Sequence, residues 1–380
     1  MQRICFVLTS PFAVNGFLLN HFRVLADHFS ITLVVNVLEY KLSPAIDPRV
    51  RVLHCDLARP ISPWRDFKAA FWLTRLFRRE RFDLVHSITP KAGLLAMFSS
   101  ALVGVPNRMH TFTGQVWVSR KGLGRSFLKQ MDRLIVACAT RILADSYSQL
   151  AFLEREGVVT KEKAGVAGPG SISGVDLGRF RPDGEARASL RSALGIPPDA
   201  VVFICLGRIN RDKGVCELAQ AFHRVAQHWS QAWLIVAGPD EGGIAPELRE
   251  ALAAVAEQVV LMPQVVCAER YLAASDVLVL PSYREGFGTV VLEAAAVGLP
   301  AIVSRIYGLT DAVVEDVTGV LVPVRDESAL AETMEALLAS EERRFALGQR
   351  ARQRAIECFS AETVSLAWLA EYRSKLQGGS

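Results

Sequence analysis

The chain has no run of about 18 uninterrupted apolar residues, the length a membrane-spanning helix needs, although 51% of its 380 residues are hydrophobic and its mean hydropathy is +0.24. It has no Cys-x-x-Cys pair. The seven cysteines, at 5, 55, 138, 205, 216, 267 and 358, are odd in number and scattered, several of them inside apolar runs. That excludes a disulfide framework or a zinc site and predicts reduced, mostly buried thiols. The seven histidines lack ligand spacing, and no Asp-x-Asp metal motif is evident. No G-x-x-x-x-G-K-[ST] loop occurs, so the chain is not a P-loop NTPase. Low-complexity tracts and short repeats are missing as well. Residues 1–9 enter a strand-like run at once, with no charged stretch and cleavage site ahead of it, which predicts the first strand of a cytoplasmic domain and not a signal peptide.

What is present is length, periodicity and an uneven distribution of charge. A chain of 380 residues suits two domains. The net charge of +4 hides a basic half and an acidic half. Residues 1–180 hold 24 Lys and Arg against 13 Asp and Glu, a net of +11, whereas residues 181–380 hold 19 against 26, a net of −7. The first half is therefore expected to face something anionic: nucleic acid, an anionic membrane surface or a phosphorylated acceptor.

Strand-like runs at 3–9, 31–37, 50–56, 84–89, 107–113 and 141–146 alternate with helical patterns, beginning with a helix at 17–29 after a turn-rich loop at 10–16. Residues 171–184, rich in Gly, Ser, Asp and Pro, read as a connector. A second series follows, with strands at 201–207, 232–238, 259–262, 277–280, 301–304 and 320–323, and after Asp326 the chain reads as helical to its end. Alternating strands and helices predict parallel sheets covered on both faces. The fold class is α/β, two doubly wound, Rossmann-like domains facing a cleft. The expected domains are 1–180 and 181–360, with a C-terminal helical segment, 361–380, crossing back to the first. In such sheets ligands bind beyond the carboxyl ends of the strands.

Two loops there carry chemistry. Gly207-Arg208-Ile209-Asn210-Arg211-Asp212-Lys213-Gly214 places two cations, Arg208 and Lys213, after a buried strand, where they suit a diphosphate; the bland alternative is a surface turn with solvated charges. Residues 282–300, S-Y-R-E-G-F-G-T-V-V-L-E-A-A-A-V-G-L-P, hold Glu285 in a Gly-containing turn and Glu293 within the following helix. Gly286, Phe287 and Gly288 allow close backbone approach. The N–H groups of Thr289 and Val290 at the helix start form an anion site. Glu293 suits ribose hydroxyls, or else pairs with a buried Arg.

Two further stretches are basic and aromatic. Residues 64–81 mix Trp64, Phe67, Phe71, Trp72 and Phe77 with Lys68, Arg75, Arg78 and Arg79, and residues 120–133 carry Lys121 and Arg125. Both suit an interfacial helix on an anionic membrane; an ordinary sheet-covering helix is the alternative.

Glu285-x7-Glu293, the 207–214 segment, Gly298-Leu299-Pro300 and Gly319-Val320-Leu321-Val322-Pro323, in that order, resemble retaining glycosyltransferases of family 4, with the GT-B fold. The likeness covers the second domain and is weaker over the first. It implies that Arg208 and Lys213 bind the diphosphate of a nucleotide-sugar, that Glu285 with residues 286–288 contacts the sugar, and that Glu293 holds the ribose. It further implies that the main chain near Gln264 and Val265 meets the base and that the Asn15-Gly16 loop closes over the phosphates. Where many relatives carry a strand-end His that approaches the donor sugar, this chain has Thr111-Phe112-Thr113-Gly114, so Thr113 takes that place; at strand period His110 should face the other way. Thr-Gly here resembles members that extend lipid-linked saccharides for surface polysaccharides or glycans.

The implied reaction moves a hexosyl or N-acetylhexosaminyl group, with retention, from a nucleotide-sugar, a UDP-sugar by preference, to a polyprenyl-diphosphate-linked saccharide. It implies no cofactor, no metal and no nucleic acid, and an enzyme held peripherally on the cytoplasmic membrane face. The leaving diphosphate takes up the acceptor proton, so the two glutamates are not a hydrolase acid and nucleophile. A nucleotide-sugar epimerase of similar shape and a non-catalytic binding subunit are the other classes. The donor sugar, the acceptor, the linkage and the oligomeric state are not encoded in any recognisable residue pattern.

Overall fold

The computed structural model describes residues 1–38, 40–57, 60 and 62–377. It resolves into two compact units, Met1–Gly174 with the chain from Ala361 onward, and Val175–Ser360. Residues 378–380 of the expected C-terminal segment lie outside the described residues.

The first unit is built on seven parallel strands: β1 (Arg3–Val7), β2 (Ser30–Val35), β3 (Arg51–His54), β4 (Leu84–Ser87), β5 (Asn107–Phe112), β6 (Arg141–Ala144) and β7 (Ala164–Val166), in the order β3-β2-β1-β4-β5-β6-β7. The second has six: β8 (Val201–Leu206), β9 (Ala232–Ala237), β10 (Val259–Met262), β11 (Val277–Leu280), β12 (Ala301–Ser304) and β13 (Gly319–Val322), in the order β10-β9-β8-β11-β12-β13. In each sheet the strand order reverses beside the first strand, between β1 and β4 and between β8 and β11. The loops after those strands diverge there and leave room for a ligand. Strands such as β8 and β11 are buried along their whole length, as strands covered by helices on both faces must be.

Four local expectations are corrected. β7 has no counterpart in the sequence reading, because three residues, Ala-Gly-Val, carry no detectable alternation. Residues 10–16 are not a loop. Ser10 caps the helix Pro11–Phe17 by accepting from the Phe12 N–H, and Pro11 sits at its first position, so Ser-Pro marks a helix start. The helix expected at 17–29 is only Leu19–Leu25. The segment at 171–184 is partly interior: Ser171, Ile172 and Ser173 are buried, and the Val175 N–H donates to the Phe359 carbonyl (2.8 Å), tying the second unit's beginning to its end.

The last helix, Ala361–Gln377, belongs to the first unit and buries Val364, Trp368, Leu369 and Tyr372. The Trp368 ring stacks on His21 at 4.3 Å. The Tyr372 hydroxyl and His86 Nδ1 share a 2.6 Å hydrogen bond, and His86 Nε2 reaches the Thr111 hydroxyl at 2.8 Å. Burial pushes His86 well below the usual histidine range, so this network is made by a neutral ring. Trp368→Ala should lower the unfolding free energy by about 3–5 kcal/mol, the cost of removing a buried Trp; chemical denaturation of the full chain measures it.

Candidate active site

The candidate site of the second unit lies where the loops after β8 and β11 meet, at that sheet's switch point. The chain leaves β8 through Gly207 and Arg208 and forms a 3₁₀ turn, Arg211–Lys213. It leaves β11 through Pro281 and Ser282 and turns at Glu285 into the helix Thr289–Val297. Three links clamp the two loops together. The Tyr283 N–H donates to the Asp212 carbonyl (2.8 Å), Arg284 Nε donates to Asp212 Oδ2 (2.8 Å), and the Lys213 ammonium is paired with Glu285. The approach is close enough that a Cβ at Gly214, where φ is +66°, would stand 2.0 Å from the Pro281 carbonyl oxygen. Only glycine meets both demands. Gly308 likewise lies under the turn, where a Cβ would meet the Gly286 carbonyl oxygen at 2.4 Å.

The site is partnered before any ligand arrives. The Glu285 carboxylate accepts from Lys213 and from the Ser282 hydroxyl (2.9 Å), and Arg208 donates to Glu241 at 2.7 Å. Cations in such pairs are held in position. An anion arriving here gains their charge only by competing with the two carboxylates. The following helix start is different: Gly288, at φ +83°, is its N-cap and supplies no side chain. Among the described residues the Thr289 and Val290 N–H groups meet no protein acceptor. Phe287 is buried against Phe359 (ring centroids 5.2 Å apart), so it can offer a ligand only its backbone.

Glu293 lies on that helix, partly buried, and among the described residues nothing donates a hydrogen bond to it. Burial raises its pKa to about 7, opposed by the Arg179 charge and reinforced by Glu269. Arg179 is itself engaged with Glu269 at 2.7 Å, so it does not neutralise Glu293. Val265 sits partly exposed after β10.

Sequence reasoning did not find Ser282, Asp212, Arg284 or Glu241 as the groups that fix the site. The signal was the pairing of opposite charges across the two loops, which becomes visible only once both are known to end neighbouring strands. Among the described residues no cluster of three or more His, Cys, Asp or Glu could hold a metal.

Asn15, Gly16 and Thr113 belong to the first unit. Asn15 is helical, not in a loop, and its amide is used locally: Nδ2 donates to the Lys41 carbonyl (3.0 Å) and Oδ1 accepts from the Ser43 N–H (2.9 Å). Gly16 lies in the same helix. His110 does not face away from Thr113. β5 ends at Phe112, so strand alternation no longer governs Thr113, and both residues line one cavity.

The basic aromatic helix Pro63–Glu80 presents Trp64, Phe67 and Phe71 at 63–67% exposure, with Lys68, Arg75, Arg78 and Arg79 exposed beside them, Arg79 in an exposed pair with Glu80 at 2.9 Å. Two expected surface contacts are corrected. Trp72 packs against the core, on the inward side of that helix. Arg125 is half-buried over the Trp117 ring and paired with Glu156 at 3.1 Å, so its charge is already used. Lys121 is exposed. No helix among the described residues is long and apolar enough to cross a membrane.

Family profiles cover both units: "Glycosyl transferase 4-like domain" matches residues 24–170 and "Glycosyl transferases group 1" matches residues 186–354. The capsular polysaccharide biosynthesis glycosyltransferase CapM of Staphylococcus aureus is 30% identical over 309 residues, covering 81% of each chain. The chain belongs to glycosyltransferase family 4, with the GT-B fold. A D-inositol 3-phosphate glycosyltransferase of Segniliparus rotundus is 33% identical over 315 residues, covering 79% of this chain and 68% of its own. UDP-Gal:alpha-D-GlcNAc-diphosphoundecaprenol alpha-1,3-galactosyltransferase of Escherichia coli is 28% identical over 292 residues, covering 75% and 74%. Anabaena HepE, solved with UDP and glucose, superposes with a TM-score of 0.79 at 19% identity, covering 98% of this glycosyltransferase and all of HepE, a likeness of fold.

Glu293 also sets a pH dependence. The folded chain holds its proton to about pH 7, while the unfolded chain releases it near the usual 4.5. Across that window the unfolded state binds fewer protons, so stability falls as pH rises, and the penalty is complete above the folded pKa. Glu293→Gln should therefore be more stable than the parent by about 1–3 kcal/mol at pH ~8 and equal to it at pH ~4. Thermal unfolding at the two pH values reads the difference.

Proposed function

We propose that this glycosyltransferase moves a sugar from UDP, with retention at the anomeric carbon, to a lipid-linked saccharide on an anionic membrane surface, as a step in surface polysaccharide synthesis. The observation that carries the donor half is the switch-point arrangement of Lys213, Arg208 and the uncapped Thr289–Val297 helix start. As the glycosidic bond breaks, negative charge grows on the departing diphosphate. On this reading Arg208, Lys213 and the two N–H groups stabilise that charge, the two cations exchanging Glu241 and Glu285 for the diphosphate. The diphosphate draws the Lys213 ammonium from Glu285, which frees that carboxylate for the sugar hydroxyls. Glu293, which has no donor of its own, takes the ribose hydroxyls, and the main chain at Val265 borders the base. The leaving diphosphate accepts the acceptor's proton, and two cations do the work a metal would otherwise do. The UDP in the HepE complex supports the choice of base.

The acceptor assignment draws on the undecaprenol-linked acceptor in the name of the Escherichia coli relative and on the exposed basic aromatic face. A soluble phosphorylated acceptor is the second reading, favoured by the inositol phosphate relative. Offering the enzyme UDP-sugars with a polyprenyl-diphosphate-linked sugar and with inositol phosphate separates the two, and the anomeric configuration of the product, read by NMR, tests retention.

Two outcomes are expected. Lys213→Ala should lower the transfer rate by about 10²-fold or more, the scale of one lost charge-stabilising donor; a rate within about twofold of the parent would remove Lys213 from the mechanism. Replacing Arg75, Arg78 and Arg79 together by Gln should weaken sedimentation with anionic liposomes at low salt. Each basic group near such a surface contributes about 1 kcal/mol.

A further inference from the structure

The first unit holds a cavity of about 370 Å³. It lies beyond the carboxyl ends of β4 and β5, walled by the helices Pro63–Glu80, Pro90–Leu102 and Gly122–Cys138. Its lining is overwhelmingly apolar, with Ile88, Leu94, Leu95, Phe112, Leu128 and Met131 among its walls. A saccharide needs many hydrogen-bonding partners, and these walls offer few. At one water-sized share of about 30 Å³ per heavy atom, the cavity has room for roughly a dozen such atoms, a single branched chain about two isoprene units long.

Part of the lining reaches the surface at apolar residues. Phe127 both lines it and is 56% exposed, and Leu123, one turn earlier on the same helix, is 89% exposed. Asp66, also in the lining, belongs to the helix that presents Trp64, Phe67 and Phe71 to solvent. The walls of the cavity and the basic aromatic face are thus parts of the same helices. Thr113, Gly114 and Lys91 also line it, and the Lys91 ammonium lies 2.5 Å from Asp66.

One polar group in the lining lacks a partner. His110 is fully buried; its Nδ1 meets the Ser87 hydroxyl at 2.8 Å, but its Nε2 finds no partner among the described residues. A buried ring nitrogen left unsatisfied is unfavourable, and an occupant carrying a polar atom at that point satisfies it. Burial holds the ring neutral, so it suits the ester oxygen at the head of an apolar chain. Asp132, also buried in the lining, already accepts from the Trp117 indole N–H at 2.7 Å.

We infer that this cavity receives the first isoprene units of the polyprenyl-diphosphate acceptor, entering from the Leu123–Phe127 side, with the phosphate-ester end at His110 and Lys91. The inference deepens the proposed function and rests on its acceptor assignment. An isoprenoid threaded in this way leaves the membrane by a few carbons only. Its saccharide is thereby brought to a fixed distance from the bilayer.

The test uses the full chain and a diazirine-bearing analogue of farnesyl diphosphate, photolysed and mapped by peptide mass spectrometry. Labelling of the peptides carrying Leu94, Leu95, Phe127 and Met131, displaced by unlabelled farnesyl diphosphate, is expected. Leu95→Trp and, separately, Met131→Trp fill the cavity and should weaken that labelling about tenfold, the scale of displacing a methylene or more from an apolar pocket, while UDP binding, which reports folding of the second unit, and the unfolding midpoint stay near those of the parent. His110→Phe should weaken labelling about tenfold by removing the hydrogen bond to the ester end. Label confined to Trp64, Phe67 and Phe71 overturns the inference, since the chain then stays on the surface. Equal cavity labelling by a diazirine-bearing phosphatidylglycerol also overturns it, because a bilayer acyl chain is then the occupant. Transfer to polyprenyl-linked acceptors without cavity labelling sinks this inference alone. Cavity labelling with transfer only to soluble phosphorylated acceptors sinks the proposed acceptor and leaves the site.

Discussion

The candidate donor site depends on one constraint: the loops after β8 and β11 must touch. Asp212 binds the backbone of Tyr283 and the guanidinium of Arg284, Lys213 reaches Glu285, and Gly214 passes against the Pro281 carbonyl with no room for a side chain. These contacts fix the cation after one strand relative to the helix start after the next. The helix start offers backbone N–H groups set by the chain itself, whereas the Arg208 and Lys213 side chains are long and are held in place by their carboxylate partners. The cost is electrostatic. Each cation is held by a carboxylate, and the ligand has to outcompete it. That arrangement favours an anion of charge two over one of charge one, because the gain grows with ligand charge while the displaced pair stays the same.

The two units use buried polar groups differently. In the second, polar side chains at the sheet's end are paired with one another and stay accessible. In the first, three histidines are sunk into the interior. His86 is satisfied by Tyr372 and Thr111, while His21 holds the Ile172 carbonyl at 2.7 Å through one nitrogen and His110 holds Ser87 through one. Neutral imidazoles suit such places because a single ring can accept on one side and donate on the other at a modest desolvation cost.

Much of the fold was legible because parallel strands covered on both faces read as uninterrupted apolar runs: 277–280 and 301–304 coincide with β11 and β12. The Gly-lined turn and helix at 286–297 were legible for a similar reason, since the glycines interrupt the pattern where the chain must bend. What escaped the sequence depended on partners distant along the chain. Trp72 and Arg125 look like surface residues by type, yet one faces inward by helical phase and the other meets Glu156, 31 positions later. Strand alternation does not relate His110 to Thr113, because β5 ends one residue before Thr113. Ser10-Pro11 reads equally as a turn or a helix start, and the following residues decide which.

The last helix of the chain sits in the first unit, and this orders events during synthesis. Val175–Ser360 is continuous and has every strand of its sheet before the final helix is translated. The first unit is made earlier but must wait: until Trp368 and Tyr372 leave the ribosome, His21 lacks its stacking partner and His86 lacks one of its hydrogen bonds. The half that begins first is therefore completed last, and a prematurely terminated chain leaves uncovered the apolar surface that Val364, Trp368, Leu369 and Tyr372 would bury.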